Sequence, residues 1–360
     1  MSPLRRVCYW LALGFLFVMV SLFWNIRSIL LPLPGSGEVD ASSDPLTILI
    51  WHSPFHKPME IPGNVCQDLY DISGCRLTTN QNEFNRADAV VFHHKELQEK
   101  GYEFPTGERP SGQKWIWASL ESPTNMNFNK NLNNLFNWTL SYREESEIFV
   151  PYGAMVPHSS TSHDISNKTG LVTWVVSHYG RSQVRAQFVK EFSRHLKVDI
   201  YGRASNKTLC PSCLVPTIAR YKFYLALENS VHTDYITEKL WRNSFVAGAV
   251  PVVLGPSRSN YEKFIPSDSF IHISDFPSPK HLADFLSSMS GQQYSQYFRW
   301  RERYAVKIYN DWRERFCLIC AKYPMLPKRK IYLDLIGWIW NEPLAKQSIP
   351  NGHRRAQTQG

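Results

Sequence analysis

Short apolar runs recur along this chain, with helix-spaced stretches between them. Thr47–Trp51, Ala89–Phe92, Lys114–Ala118, Leu140–Tyr142 with Ile148–Val150, Leu171–Ser177, Val198–Gly202, Tyr221–Leu227, Val250–Leu254 and Ser269–Ile273 read as strands. Several are apolar throughout rather than alternating, the pattern of strands covered on both faces of a parallel sheet. Ser182–His195, Thr237–Ala247 and Pro279–Ser290 carry apolar residues at helical spacing and begin with capping residues. Alternating strand and helix predicts an α/β, doubly wound architecture. The polar stretch from Pro157 to Gly170 reads as a linker, dividing a first half at 46–156 from a second at 170–343. The closing residues, 344–360, are polar and expected to be disordered.

One apolar run is of a different kind. Val7 to Trp24 holds no charge and, as a helix, spans about 27 Å, close to the hydrocarbon thickness of a thin membrane. Arg5 and Arg6 precede it, so the positive-inside rule leaves residues 1–6 in the cytosol and sends everything after the run into the lumen. A cleaved signal peptide is the competing reading, but SLFWNIRS offers no small-x-small cleavage site. The expectation is therefore a signal-anchor at 7–24 and a flexible stem at 25–45.

A luminal setting gives the cysteines and sequons a meaning. Asn137, Asn167 and Asn206 each open an Asn-x-Thr triplet and are glycosylation candidates there. Cys66, Cys75, Cys210, Cys213, Cys317 and Cys320 are an even set in an oxidising space, which favours disulfides over zinc or redox chemistry. Adjacent C-x-x-C bridges close tight rings, so Cys66 and Cys75 are expected to pair with Cys317 and Cys320. Composition adds a net charge of +9 and 14% aromatics, which suits an anionic partner without choosing one. Luminal placement removes nucleic acid from the candidates.

The densest chemistry lies in YKFYLALENSVHTDYITEKLWRNSFVAGAVPVVLG, from Tyr221 to Gly255. It reads as strand, loop, helix and strand. Ligands of doubly wound sheets bind beyond the C-terminal strand ends, where Glu228, Asn229, Asp234 and Tyr235 fall. Thr237 is a good N-cap, the following turn offers backbone N–H groups to an anion, and Lys239 adds a full charge. There is no G-x-G-x-x-G and no Walker loop, so dinucleotide and ATP readings are weak. An ordinary β-α-β unit with a capped helix fits the same residues.

ENS-x-x-x-DYITEKL followed by AGAVPVVLGP resembles the donor signature of the animal α-1,3-fucosyltransferases, an inverting family that uses GDP-fucose. WHSPF, ADAVVFHHKEL, WASLESP, LSYREESEIFVPYG and the terminal CLIC extend the likeness over nearly the whole luminal chain. The resemblance implies a GT-B arrangement, with an acceptor-binding domain at 46–156, a GDP-fucose-binding domain at 170–343 and a cleft between. It assigns Glu121 as the general base, Arg185 and Lys239 to the diphosphate, and Tyr235, Glu238, Glu228 and Asn229 to the donor. Lys95, Arg143 and Tyr152 become acceptor-side candidates, Lys95 pointing to type 2 lactosamine, Galβ1-4GlcNAc. Independently, Glu121 follows the apolar strand KWIWAS and precedes Pro123, which puts a carboxylate at a strand end.

The resemblance further implies a Golgi membrane enzyme acting on glycans of glycoproteins and glycolipids, with α-2,3-sialylated lactosamine as the expected acceptor and sialyl Lewis x type glycans as the product. No D-x-D pair occurs in the chain, which agrees with chemistry that needs no metal or cofactor. His93 and His94 read as strand-end packing rather than metal ligands, and Trp51, Trp115 and Trp117 as core. Two alternatives stay open: a membrane-anchored glycan- or nucleotide-sugar-binding protein without turnover, and a related transferase with neutral acceptors. Oligomeric state is not legible.

Overall fold

The computed structural model describes residues 45–128, 131–158 and 168–341. The expected anchor at 7–24, nearly all of the stem, Asn167 and the tail at 344–360 lie outside the described residues. Among those described, no helix is long and apolar enough to cross a membrane.

Strands β1 (Leu46–Ile50), β2 (Cys75–Thr78), β3 (Ala89–His93), β4 (Lys114–Ser119), β5 (Trp138–Ser141) and β6 (Ile148–Phe149) form one parallel sheet in the order β2-β1-β3-β4-β5-β6. After the short strand β7 (Gly153–Pro157), a second parallel sheet follows. It is built from β8 (Gly170–Val175), β9 (Asp199–Tyr201), β10 (Tyr221–Leu227), β11 (Val250–Leu254) and β12 (Ile271–His272), ordered β12-β11-β10-β8-β9. Both sheets share one winding. In each, the first strand sits between the second and the third, so the chain reverses direction across the sheet at β1/β3 and again at β8/β10. These are the switch points where doubly wound sheets open a crevice beyond their strand ends.

The apolar runs form strands because both faces are covered. In β3, Ala89 and Val91 enter one core while Val90 and Phe92 enter another on the opposite face. Tyr224 and Ala226 of β10 likewise point away from Phe223, Leu225 and Leu227. Trp115 and Trp117 are buried in the first sheet's outer core, as expected.

Several expectations need correction. Three strands went unread: β2, β7 and β13 (Tyr304–Ile308), the last pairing antiparallel with β7. Pro157 therefore ends a strand rather than opening a linker. The helix expected over Thr237–Ala247 is a three-residue α-turn, Glu238–Leu240, that widens into a π-helix at Trp241–Val246.

The stretch expected to belong wholly to the second half crosses back. Helix Trp312–Lys322 packs with the first sheet's core through Phe316 and Ile319, and Leu335 and Ile339 join its other face. Disulfides Cys66–Cys317 and Cys75–Cys320 fasten this return. The third bridge, Cys210–Cys213, is an adjacent C-x-x-C ring of the kind the sequence reading disfavoured.

Candidate active site

The C-terminal ends of β3 and β4 and those of β8 and β10 line a single cleft of about 1010 Å³. Both switch points thus open on the same space. His93 to Lys95 and Ser119 to Glu121 come from the first sheet, Val175 to His178 and Asn229 from the second. Gly202, after β9, also lines it with φ 109°, and a Cβ there would strike the Val176 carbonyl, so only glycine fits this turn.

On the second sheet's side, Arg185 and Lys239 face the cleft. Arg185 opens helix Val184–Phe192, is 4% exposed, and donates from Nε to Gln183 Oε1 at 3.1 Å and from the guanidinium to the His178 carbonyl. Burial draws its pKa down, opposed by the Glu228 carboxylate. Lys239 Nζ donates to Glu228 Oε2 at 2.9 Å, to Thr237 Oγ1 at 2.7 Å and to Glu238 Oε1 at 3.3 Å. Burial alone would lower its pKa, but Glu228 and Glu238 outweigh that and hold it above its ordinary range.

Glu228 sits beneath the cleft floor with its side chain 1% exposed. Burial pushes its carboxyl upward, against the pull of Lys239. It also accepts from the Thr237 amide and hydroxyl at 2.9 Å each, so Thr237 anchors Glu228 instead of capping a helix. Glu228 is accordingly a support for Lys239, while Glu238, Asn229 and Tyr235 line the cleft itself. Desolvation raises the Glu238 carboxyl, yet Lys239 and the Thr237 hydrogen bond carry it below its ordinary value.

On the first sheet's side, Glu121 is exposed at the end of β4, as its position after KWIWAS predicts. Its Oε1 accepts from Tyr235 Oη at 2.6 Å, the Ser122 nitrogen at 3.0 Å and Asn125 Nδ2 at 3.1 Å. Tyr152 lines the cleft and donates to the Leu120 carbonyl at 2.6 Å, fixing the backbone just before Glu121. Lys95 is exposed at the rim. The site thus sets one carboxylate opposite a buried and a half-buried cation, which suits removing a proton on one side and receiving negative charge on the other.

Arg143 does not belong to this set. It is buried outside the cleft lining, with Nη1 donating to the Trp338 and Ile339 carbonyls at 3.2 and 2.9 Å and Nη2 to Asn341 at 2.9 Å. Helix Leu335–Trp340 ends there, and the guanidinium supplies donors to its last carbonyls. Asn137 is also displaced from its expected role. Its amide nitrogen donates to the Lys330 carbonyl at 2.8 Å and its oxygen accepts from the Trp115 nitrogen at 2.9 Å, so a glycan has no room there in the folded chain. Asn206 is exposed in a left-handed turn and is free to carry one.

Some residues escaped the sequence reading. His93 does have a carboxylate partner: Nδ1 lies 2.6 Å from Glu96 Oε2, and Glu96 also accepts from the Phe55 nitrogen at 2.6 Å. Spacing of three residues in HHKE was the available signal. Burial, with His93 beside it, lowers the His94 pKa to about 4, keeping that imidazole neutral where it accepts from Trp117 Nε1 at 3.1 Å. Arg315, just before the CLIC motif, lines the cleft and stacks over Trp312 at 4.7 Å. The three sulfurs of Cys66, Cys75 and Cys320 cluster within metal-ligand reach, but each is committed to a disulfide.

Two family models together match most of the described fold. Residues 165–338 match "Glycosyltransferase family 10 (fucosyltransferase) C-term", and residues 43–153 match "Fucosyltransferase, N-terminal". The chain belongs to glycosyltransferase family 10. It is 48% identical to rat alpha-(1,3)-fucosyltransferase 7 over 94% of this chain and 90% of that one. It is 50% identical to the human protein of that name over 81% and 86% of the two chains. A crystal structure of an α1,3-fucosyltransferase with GDP-fucose aligns with TM-score 0.51 at 18% identity, covering 82% of this chain and 94% of that one. At that identity the likeness speaks to the fold: paired parallel α/β sheets in a GT-B-like arrangement. This fucosyltransferase is therefore a glycosyltransferase by family.

Proposed function

We propose that the enzyme moves L-fucose from GDP-β-L-fucose to the 3-hydroxyl of GlcNAc in type 2 lactosamine, with inversion at the anomeric carbon. The observation that carries this is the placement of Glu121 across one cleft from Arg185 and Lys239. The acceptor hydroxyl gives its proton to Glu121 as its oxygen attacks the fucose anomeric carbon from the face opposite the diphosphate. GDP departs with the bonding electron pair, and Arg185 and Lys239 meet the charge that grows on its phosphates. Glu238 and Asn229 are placed to accept from and donate to sugar hydroxyls. Both cations are already hydrogen-bonded in place, so little reorganisation accompanies the step.

Names of the relatives support the α-1,3 linkage. Lys95 on the rim supports a type 2 acceptor, and the excess of positive charge around the cleft supports α-2,3-sialylated lactosamine over neutral lactosamine as the preferred form. The reaction as written requires no metal. A catalytic region held by a signal-anchor in the Golgi lumen completes the reading, with the cysteine pairing in its favour, since disulfides persist in oxidising compartments.

Incubating the purified protein with GDP-fucose and paired sialylated and neutral lactosamines, with and without EDTA, tests donor, acceptor and metal together. Transfer to sialylated lactosamine that survives EDTA and collapses in Glu121→Gln, with GDP still bound, is the expected result. Wild-type transfer by Glu121→Gln overturns the mechanism.

A further inference from the structure

Glu121 has two chemically different oxygens. Oε1 accepts from Tyr235 Oη at 2.6 Å, the Ser122 nitrogen at 3.0 Å and Asn125 Nδ2 at 3.1 Å. A carboxylate oxygen offers about two lone-pair sites, so Oε1 is saturated. Among the described residues, no side chain or backbone donor is hydrogen-bonded to Oε2.

Of the three donors, the Ser122 amide is backbone that every residue supplies, and Tyr235 already belongs to the expected donor side. Asn125 is the one side-chain donor supplied from Glu121's own loop. Its Nδ2 also lies 3.1 Å from Ser122 Oγ, and Ser122 Oγ is 2.6 Å from Ser230 Oγ on the loop after β10. The Asn125 side chain thus joins two oxygens on its own loop, one of which reaches the opposite wall. Only the amide nitrogen can face a carboxylate oxygen, so its orientation is dictated by chemistry.

Glu121 is an exposed side chain with several rotatable bonds, and left alone it would sample many rotamers. A base that wanders by an ångström loses much of the advantage of proximity. We propose that Asn125 is a positioning residue for fucosyl transfer: with Tyr235 it pins Oε1 of Glu121, leaving Oε2 to take the acceptor's proton. Through Ser122 and Ser230 it also keeps the base in register with the loop that carries Asn229. In the step so arranged, the acceptor O–H bond breaks toward Oε2 and the acceptor oxygen bonds to the fucose anomeric carbon. The bond from that carbon to the diphosphate oxygen breaks with its electron pair leaving on GDP. The proposal rests on the reading of Glu121 as the base.

Steady-state kinetics of the full chain with GDP-fucose and sialylated N-acetyllactosamine test it. Asn125→Ala should lower kcat by about tenfold and leave KM for GDP-fucose within about twofold, the signature of an interaction needed in the transition state alone. Asn125→Asp keeps the shape, removes the donor and sets a second carboxylate against Glu121, and should lower kcat by about a hundredfold. Asn125→Gln retains the donor on a side chain with room to extend, and should recover most of the loss. Because Asn125 is exposed, all three should fold, with thermal midpoints close to the parent's. Ser230→Ala, which cuts the network from the other wall, should lower kcat by about threefold.

Equal kcat for Asn125→Asp and Asn125→Gln would overturn the proposal, as would a KM rise at unchanged kcat in Asn125→Ala. Glu121→Gln separates the two levels of the argument. If it keeps wild-type turnover, the base itself is misassigned. If it abolishes turnover while the Asn125 variants keep theirs, the base stands and the positioning role falls.

Discussion

The Tyr235 hydroxyl lies 2.6 Å from Oε1 of Glu121, although 114 residues separate the two in sequence. The phenol comes from the loop after β10 and the carboxylate from the loop after β4, so one wall of the cleft holds the base of the other. Burial first, and then the neighbouring Tyr152 and the Glu121 carboxylate, keep the Tyr235 phenol well above its ordinary pKa. It therefore remains a proton donor through the neutral and mildly alkaline range.

Tyr235→Phe removes that donor and little else. Turnover should fall by about tenfold, the equivalent of one hydrogen bond to a charged group, while the thermal midpoint moves by no more than a few degrees. Initial rates measured from pH 6 to about pH 9.5 should show no alkaline limb in the wild type that Tyr235→Phe removes. Such a limb would mean that the phenol ionises during the reaction.

Lys239→Met tests the pair beneath the cleft. In the parent, Glu228 and Glu238 raise the Lys239 pKa, so its contribution to stability is complete below the unfolded value of about 10.4 and is lost as pH rises through the higher folded value. Glu228, with its side chain 1% exposed, is the dominant partner. Without the cation, burial and the neighbouring Glu238 push that carboxyl up further, against the Thr237 hydrogen bond. A carboxyl raised in the folded state contributes stability below about pH 4.3 and loses it as pH climbs through the folded value. Denaturant unfolding should therefore show Lys239→Met about 3–5 kcal/mol less stable at pH 7 and nearer the parent at pH 5. A loss independent of pH would assign the effect to packing.

Much of this could be read from sequence for physical reasons. Strands β3, β4, β10 and β11 are buried on both faces, and an apolar run has few other ways to be satisfied. The missed strands β7 and β13 form a two-stranded ribbon whose mostly half-exposed residues blur the pattern, and the edge strand β2 carries two polar residues, Arg76 and Thr78, among its four. Glu121 was legible because a strand end fixes where the next residues go. Arg143 was misplaced because a charge in a quoted stretch carries no direction, and only the fold reveals that its guanidinium points at three carbonyls. Asn125 was invisible because its partner lies within the same loop, whose path no spacing rule describes.

The sequons should separate in a cell-based assay. Asn206→Gln should remove one glycan's mass on a denaturing gel when the protein is made in the secretory pathway. Asn137→Gln should remove none, yet it should destabilise the fold. Its amide bridges the Lys330 carbonyl and the Trp115 nitrogen at 2.8 and 2.9 Å, and losing both buried contacts costs about 2–4 kcal/mol. A mobility shift from Asn137→Gln would contradict the buried placement.

The three disulfides should differ in what they hold. Cys66–Cys317 closes a separation of 251 residues and Cys210–Cys213 one of 3. With Cys75–Cys320 still closed, Cys66–Cys317 adds only a ring of about a dozen residues, so a bridge that acts mainly by limiting the unfolded chain contributes about 3 kcal/mol there and about 2 kcal/mol at Cys210–Cys213. The long bridge also ties helix Trp312–Lys322, and with it Arg315 at the cleft, to the first sheet. Replacing Cys66 and Cys317 together by Ser should therefore lower both the unfolding midpoint and the secreted yield. The double Ser variant of Cys210 and Cys213 should fold with a modest loss. Cys210 lines the cleft beside the second sheet, so the effect of that variant should appear instead in KM for GDP-fucose. Equal losses of stability from the two double variants would show that holding helix Trp312–Lys322 adds nothing beyond chain entropy.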